Sequence, residues 1–137
     1  MQEFSGRTAV ITGAASGIGL GMARSFAKRG MQLVLADLNE ELLQAAEQEF
    51  LDAGVEVVSQ ICDASKLDDV ERLASTAMDR FGGVHVVCSN AGVGIPTSAR
   101  NVKLSDWEWI INVDLWGPIY AVKTFLPLIE AQGEENI

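Results

Sequence analysis

The stretch Thr12-Gly13-Ala14-Ala15-Ser16-Gly17-Ile18-Gly19-Leu20-Gly21 holds the residues whose types and spacing most clearly suggest chemistry. It follows an apolar run, Thr8-Ala9-Val10-Ile11, and opens a helical pattern. The first N–H groups of a helix have no partner within it, and the helix dipole is positive at that end. A strand, a glycine-rich turn and a helix N-terminus therefore form a phosphate-binding arrangement. Glycine has no Cβ, so a diphosphate can approach those donors closely. A few glycines can also form nothing more than a tight turn. The spacing argues otherwise: Gly13, three residues, Gly17, one residue, Gly19. It differs from the G-x-G-x-x-G fingerprint and from the Walker loop, which needs Lys-Ser/Thr after its glycine. A second group, Asp37, stands about 20 residues further on, at the end of another apolar run. A carboxylate there can accept both ribose hydroxyls of an adenosine and repels a 2′-phosphate. Leu38 offers no positive charge to such a phosphate. These features predict a dinucleotide site, drawing on Gly13, Ser16, Gly17, Ile18, Gly19, Asp37 and Leu38, that takes NAD rather than NADP.

Strands and helices must alternate to place these groups, and the hydrophobic periods do alternate. Residues 17–29 read as a helix with Ile18, Met22 and Phe26 inward, stopped by Gly30. Gln32 to Ala36, ending at Asp37, suits a buried parallel strand. Residues 40–53 read as a helix with Asn39 as N-cap, two carboxylates in the first turn and Gly54 after its end. Val55 to Ile61 is a third strand, residues 66–81 a third helix stopped by Gly82-Gly83, and Val84 to Cys88 a fourth strand. The pattern predicts an α/β fold: a Rossmann-like, doubly wound parallel sheet of strand order 3-2-1-4. The ligand crevice belongs at the C-terminal ends of strands 1 and 4. Residues 104–132 form a long amphipathic segment with Trp107, Trp109 and Trp116. Pro118 has no N–H, so the Asp114 carbonyl loses its helical partner and a kink is expected there. Apolar residues from Trp109 to Ile129 cover more than one face of this segment, which predicts burial on two sides.

Taken together, these motifs resemble the cofactor-binding N-terminal half of the short-chain dehydrogenase/reductase family, over nearly the whole chain. The Thr12 to Gly19 turn resembles the family's cofactor loop. Ser89-Asn90-Ala91-Gly92 resembles its Asn-Asn-Ala-Gly, with Ser in place of the first Asn. The resemblance implies that Asn90 braces the sheet while Ala91 and Gly92 leave room for the cofactor. Asp63, beside Ala64, matches the family's Asp that hydrogen-bonds the adenine amino group, although an Asp after a strand is also an ordinary turn former. Asn112-Val113-Asp114-Leu115-Trp116-Gly117 resembles Asn-Leu-x-Gly, whose Asn belongs to the catalytic tetrad. Aligning on Leu115 and Gly117 puts Asp114 at that position, where its free carbonyl could hold the relay water that the family's Asn backbone holds. His85 stands where the family usually has Asp and is read as structural.

The family's catalytic pair is Tyr-x-x-x-Lys; Tyr120 and Lys123 are only three apart and are not that pair. The catalytic Ser, Tyr and Lys have no counterparts here, and Ile137 falls where a fifth strand is expected to begin. The resemblance implies an NAD-preferring oxidoreductase that interconverts an alcohol and a carbonyl by hydride transfer. The 137-residue chain itself is then expected to hold NAD without turning over. The family packs the helix after strand 4 against its copy in a second subunit. With the unpaired edge at Val84 to Cys88, this predicts a homo-oligomer. Only residues 93–97 would contribute to a substrate pocket.

Composition narrows the alternatives. Residues 1–137 make one domain, large enough to bury a core. No window approaches the roughly 20 apolar residues of a membrane span, and the N-terminus has no secretory pattern. A net charge of −9 argues against nucleic acid. Two cysteines, Cys62 and Cys88, suit a reducing compartment, read here as the cytoplasm. On the two outer strands they would lie about 14 Å apart, beyond the reach of a disulfide. No metal site is expected. Two other readings stay open: a non-catalytic NAD-binding or interaction module, and an S-adenosylmethionine-dependent Rossmann protein, with Asp37 as its acidic residue.

Overall fold

Strand β1 (Thr8–Thr12) is buried at every residue and forms the axis of a four-stranded parallel sheet. The structure, a computed structural model, describes residues 3–133. Strand β1 pairs with β2 (Gln32–Asp37) on one side and with β4 (Val86–Cys88) on the other; β3 (Val57–Ile61) lies outside β2. The order is β3-β2-β1-β4, as the alternating periods predict. Successive residues of a strand face opposite ways. Ala9 and Ile11 therefore enter one core with Leu33, Leu35, Ala23 and Leu43, while Val10 enters the other with Val34, Leu73 and Phe125. Helices α1 (Gly17–Ala27) and α2 (Glu40–Asp52) cover the first face. Helix α3 (Leu67–Phe81) covers the second, together with α5 (Gly117–Ala131). The chain thus winds outward from β1 to β3, crosses back through α3 and resumes at β4. The reversal between β1 and β4 opens the sheet at their C-terminal ends, where ligands bind in such folds.

Several local expectations are corrected. Ile18 is not inward on α1; it is 77% exposed, and Gly19 and Ala23 form the buried face. The cause is a close approach of the helix to the β1 exit, described below. Helix α1 ends at Ala27, and turn bonds from Arg29 and Gly30 close it. Strand β3 starts at Val57 because Val55 N–H still bonds Phe50 O at the end of α2. Strand β4 starts at Val86, since Val84 pairs with a side chain: its N–H donates to Gln132 Oε1 and its carbonyl accepts from Gln132 Nε2 (2.8 and 2.7 Å). The irregularity expected before Pro118 takes the form of one turn of π-helix, Asn112–Trp116, between α4 (Leu104–Ile111) and α5. Gly117 N–H reaches back five residues to Asn112 O, inserting one residue just before the proline that has no N–H to give. Among the described residues, one side of this segment is buried, on the sheet. Phe125 and Ile129 are buried on the sheet, whereas Trp109, Leu115, Ile119 and Val122 face outward. The N-cap role of Asn39 is seen directly, its Oδ1 accepting from Leu42 N–H at 3.0 Å. Both cysteines are free and sit at opposite sides of the sheet. No helix among the described residues is long and apolar enough to cross a membrane. Ile137 lies outside the described residues.

His85 serves as a structural residue. Its backbone N–H donates to Thr8 O at 3.0 Å, and its Nδ1 accepts from Thr8 N–H at 3.0 Å, extending the β1–β4 pairing by a side chain. An accepting Nδ1 requires a neutral ring. Burial and then the nearby positive charge of Arg7 hold the imidazole below its usual range. A base whose folded pKa is depressed favours folding fully above its unfolded value, near 6.5, and loses that contribution as pH falls through the folded value. An NMR titration of this single histidine should give a midpoint below that of a histidine-containing peptide. His85→Gln should flatten the stability loss that sets in as pH falls below about 6.5 in denaturant melts.

Candidate cofactor site

The site begins where β1 and β4 end side by side. Thr12, 4% exposed, donates its hydroxyl toward Cys88 O (3.4 Å) and accepts from the N–H groups of Asn90 (3.0 Å) and Ala91 (3.1 Å). One donor and two acceptor sites exhaust a hydroxyl. Asn90 returns the tie, its Nδ2 donating to Thr12 O at 3.1 Å and Gly13 O at 3.3 Å. The two strand exits are therefore fixed against each other by side chains, beyond the reach of the sheet ladder.

This proximity dictates the glycines. A Cβ on Gly13 would lie 3.0 Å from Asn90 Nδ2 and 3.1 Å from Ala91 Cα, and Gly13 also has φ +65°. A Cβ on Gly19 would meet Gly13 O at 2.0 Å, so α1 can start over the β1 exit only with glycine there. Gly17, with φ +53°, would have nothing within 4 Å of an added Cβ, and this open side faces the crevice where a phosphate would approach. The first helical bond is Leu20 N–H to Ser16 O, so the amides of Gly17, Ile18 and Gly19 precede the helical ladder. Ser16 stands at the N-cap position without bonding the helix through its side chain.

On the β2 side, Asp37 is held by backbone. Its Oδ2 accepts from Ala15 N–H and its Oδ1 from Asn39 N–H, each at 3.0 Å. Each carboxylate oxygen keeps a further acceptor site. Leu38 beside it is 60% exposed. After β3, Asp63 Oδ1 accepts from Ser65 N–H (3.0 Å) and Ser65 Oγ (2.6 Å), while Oδ2 lies 3.7 Å from Lys66 Nζ. The turn-forming reading of Asp63 is thus realised on one oxygen, with the other directed to a partly solvated lysine. Burial, then the charges of Asp69 and Asp63, push the Cys62 thiol up to about 12, against a smaller opposing effect of Arg72. Cys62 remains protonated and acts as an apolar wall.

These residues enclose a crevice of about 380 Å³. Gly13, Ser16, Gly17, Ile18, Asp37, Leu38, Asp63, Ala64, Asn90, Ala91 and Gly92, all expected from the sequence, line it. Gly19 does not; it lies beneath, in the contact with Gly13. Asp114 does not line it either, although its Oδ1 accepts from Val93 N–H at 2.9 Å at the crevice rim. Cys62, Val93 and Val113 complete the wall. Cys62 and Val93 directly adjoin expected residues, and position after a strand was the available signal. Val113 enters from the π-turn, at a position to which the Asn-Leu-x-Gly resemblance gives no role. Among the described residues no group of His, Cys, Asp or Glu could hold a metal ion.

Comparison with known proteins agrees with this geometry. The family model for short chain dehydrogenase matches residues 7–137. A CLA biosynthesis dehydrogenase/reductase of Lactiplantibacillus plantarum is 35% identical over 132 residues, 96% of this chain and 46% of that protein. A 1-deoxy-11-beta-hydroxypentalenate dehydrogenase of Streptomyces arenae is 38% identical over 93% of this chain and 46% of that protein. The chain thus spans about half the length of these relatives. Among solved structures, a short chain dehydrogenase/reductase from Burkholderia phymatum in complex with NAD matches with TM-score 0.95 and 40% identity, over 98% of this chain and 48% of that one. A metagenomic short-chain oxidoreductase in complex with NADP matches with TM-score 0.86 and 35% identity, over 93% and 58%.

The glycine contacts carry a paired expectation. Gly19→Ala should destabilise the chain by at least about 2 kcal/mol, the cost of overpacking against a fixed carbonyl. Gly21, with nothing within 4 Å of an added Cβ, should gain about 0.5–1 kcal/mol from Gly21→Ala. Denaturant melts of the two variants check both signs.

Proposed function

The chain belongs to the short chain dehydrogenase family, and we propose that it is the cofactor-binding part of an NAD-preferring oxidoreductase acting between an alcohol and a carbonyl. The family match sets aside the S-adenosylmethionine reading. The observation that carries the NAD preference is the Asp37 carboxylate, locked in orientation by Ala15 and Asn39 N–H groups at the edge of the crevice. Its remaining acceptor sites suit ribose hydroxyls and repel a 2′-phosphate, and exposed Leu38 supplies no countercharge. The cradle fits such a cofactor: it is free of Cβ atoms at Gly13 and Gly17, and helix amides stand unpartnered behind it.

The nicotinamide cofactor supplies hydride exchange when bound. This chain's residues bind and orient it. The Gly17 and Ile18 amides take the diphosphate, Asp37 the adenosine ribose and Asp63 Oδ2 the adenine amino group. Asn90 keeps Ala91 and Gly92 in place for the other end. Asp114, at the tetrad position, contributes a carbonyl that position 118 cannot bond, available to a relay water. Proton exchange with a substrate requires a further group. The single tyrosine, Tyr120, stacks on Trp116 in α5 (5.7 Å between ring centres) and stands three residues from Lys123. The 137-residue chain on its own is therefore read as binding without turnover, the point at which the alternative of a non-catalytic NAD-binding or interaction module meets this one. Its free thiols suit a reducing compartment, and we place it in the cytoplasm. The outward Trp109, Leu115, Ile119 and Val122 form an apolar face on the α4–α5 segment suited to a second copy of the chain.

Calorimetric titration checks the cofactor assignment. The parent chain should bind NAD more tightly than NADP and form no NADH when a secondary alcohol is added. Asp37→Ala should weaken NAD about 10-fold or more and narrow the difference, as expected for charged hydrogen bonds. Equal or tighter NADP binding by the parent, or turnover, would refute the assignment. Sedimentation should show a dimer or larger species at tens of micromolar that Val122→Glu shifts toward monomer; a parent that stays monomeric would remove the α4–α5 pairing.

A further inference from the structure

We infer that Asp69, in the first turn of α3, is a positioning residue: it presents the Asp63 carboxylate to the base of the cofactor and thereby sets a preference for a 6-aminopurine over a 6-oxopurine. This role rests on the dinucleotide reading above. Nearly every polar group of Asp63 is already committed. Its N–H donates to Asp69 Oδ2 at 2.8 Å, and its carbonyl accepts from Lys66 N–H at 3.0 Å. Its Oδ1 accepts twice, from Ser65 N–H at 3.0 Å and Ser65 Oγ at 2.6 Å. Among the described residues Oδ2 accepts no hydrogen bond, and the Lys66 Nζ that lies 3.7 Å from it belongs to a largely exposed side chain. An ionised carboxylate oxygen can only accept. The group that Asp63 keeps for a ligand in the crevice is therefore an acceptor, which suits the amino hydrogens of a 6-aminopurine. A 6-oxopurine would set an oxygen against it.

Asp69 reaches Asp63 because the usual tie is already taken. A carboxylate at the third helical position commonly returns to the backbone N–H of the N-cap residue. Here the N-cap is Lys66, which makes no side-chain cap bond, and its N–H closes the turn onto Asp63 O. Asp69 passes over it to the Asp63 N–H and so ties the whole turn to α3. Its other oxygen is held in turn, Oδ1 accepting from Arg72 Nη2 at 2.7 Å along the same helix. The Asp69 side chain is 17% exposed and that of Arg72 63%, so the brace is shielded while its counter-ion is solvated. The second negative charge placed beside Asp63 is thus offset, and the positive end of α3 favours it there. A backbone N–H bonded to a carboxylate is a charge-assisted bond, stronger than a neutral one. Substitution at 69 leaves every ligand-facing atom of Asp63 present and releases the turn that carries them.

The test is calorimetric titration of the 137-residue chain with NAD and with its hypoxanthine analogue, in which a 6-oxo group replaces the 6-amino group. The parent should bind NAD about ten-fold more tightly or better, the difference expected of one hydrogen bond to a charged group. Asp69→Ala should reduce that ratio to about three-fold or less, weakening NAD while the analogue stays within about two-fold. Asp69→Asn keeps an acceptor oxygen and should hold the ratio within about two-fold of the parent's. In an Asp63→Ala background, which lacks the ligand-facing oxygen, adding Asp69→Ala should change the ratio by less than about two-fold. Amide exchange at Asp63 should be slow in the parent and in Asp69→Asn, and fast in Asp69→Ala. An unchanged ratio in Asp69→Ala, or equal weakening of both dinucleotides, would overturn the proposal. So would a fast Asp63 amide in the parent or loss of the ratio in Asp69→Asn, and these two measurements decide the matter even where Asp69→Ala fails to fold. A parent with equal affinity for the two dinucleotides overturns the proposal and leaves the dinucleotide reading in place. A parent that binds neither strikes that reading, and the proposal with it.

Discussion

One buried hydroxyl holds the site together. Thr12 spends its full hydrogen-bonding capacity on the β4 exit, and Asn90 spends both its amide hydrogens on the β1 exit. Parallel strands that end beside a topological reversal have no ladder beyond their last pair, here Ile11 with Cys88. Without the rivet the two backbones would part where a ligand must be gripped. A buried polar group that loses its partner costs about 1–3 kcal/mol, so the Thr12–Asn90 tie cannot loosen one bond at a time without penalty. Rigid placement of the first loop follows from it.

The glycines are consequences of that tie. Once Asn90 is drawn against Gly13, a Cβ there would be crowded at 3.0 Å on a backbone with φ +65°, and once α1 starts over Gly13, none fits at Gly19. The same close passage turns Ile18 outward into the crevice. A loop that looks like a simple phosphate cradle thus serves two purposes, with Gly17 open to a ligand and Gly19 closed against the protein. Asp37 joins the arrangement through Ala15 N–H, so the group proposed to meet the adenosine ribose is bonded to the loop proposed to take the diphosphate.

At the far side, the apolar α4–α5 segment is asymmetric. Phe125 and Ile129 complete the second core, while a row of large side chains faces outward. The irregular turn between the helices is the more informative feature. Pro118 removes a donor, Gly117 permits contact with Ala64, and the inserted residue absorbs both constraints. π-turns of this kind are frequent at functional sites because they re-aim side chains without breaking the helix.

Read alone, the sequence determined the strand order, the crossovers between strands and most of the crevice wall. Hydrophobic period and turn chemistry are local, and parallel crossovers have one favoured hand. The residues after β1, β2, β3 and β4 were legible because the fold sends every strand's C-terminal end to one place. What tertiary structure decided was the use of each residue there. Periodicity placed Ile18 inward, because it cannot register that Gly19 must face a carbonyl from another segment. It gave β4 two residues more than it has, because a glutamine 48 positions away replaces the ladder at Val84. It foresaw a defect before Pro118, since a missing donor is visible in any sequence. That the defect takes the form of a π-turn, with Gly117 seated against Ala64 and Asp114 bonded to Val93 N–H, is visible only in the tertiary structure.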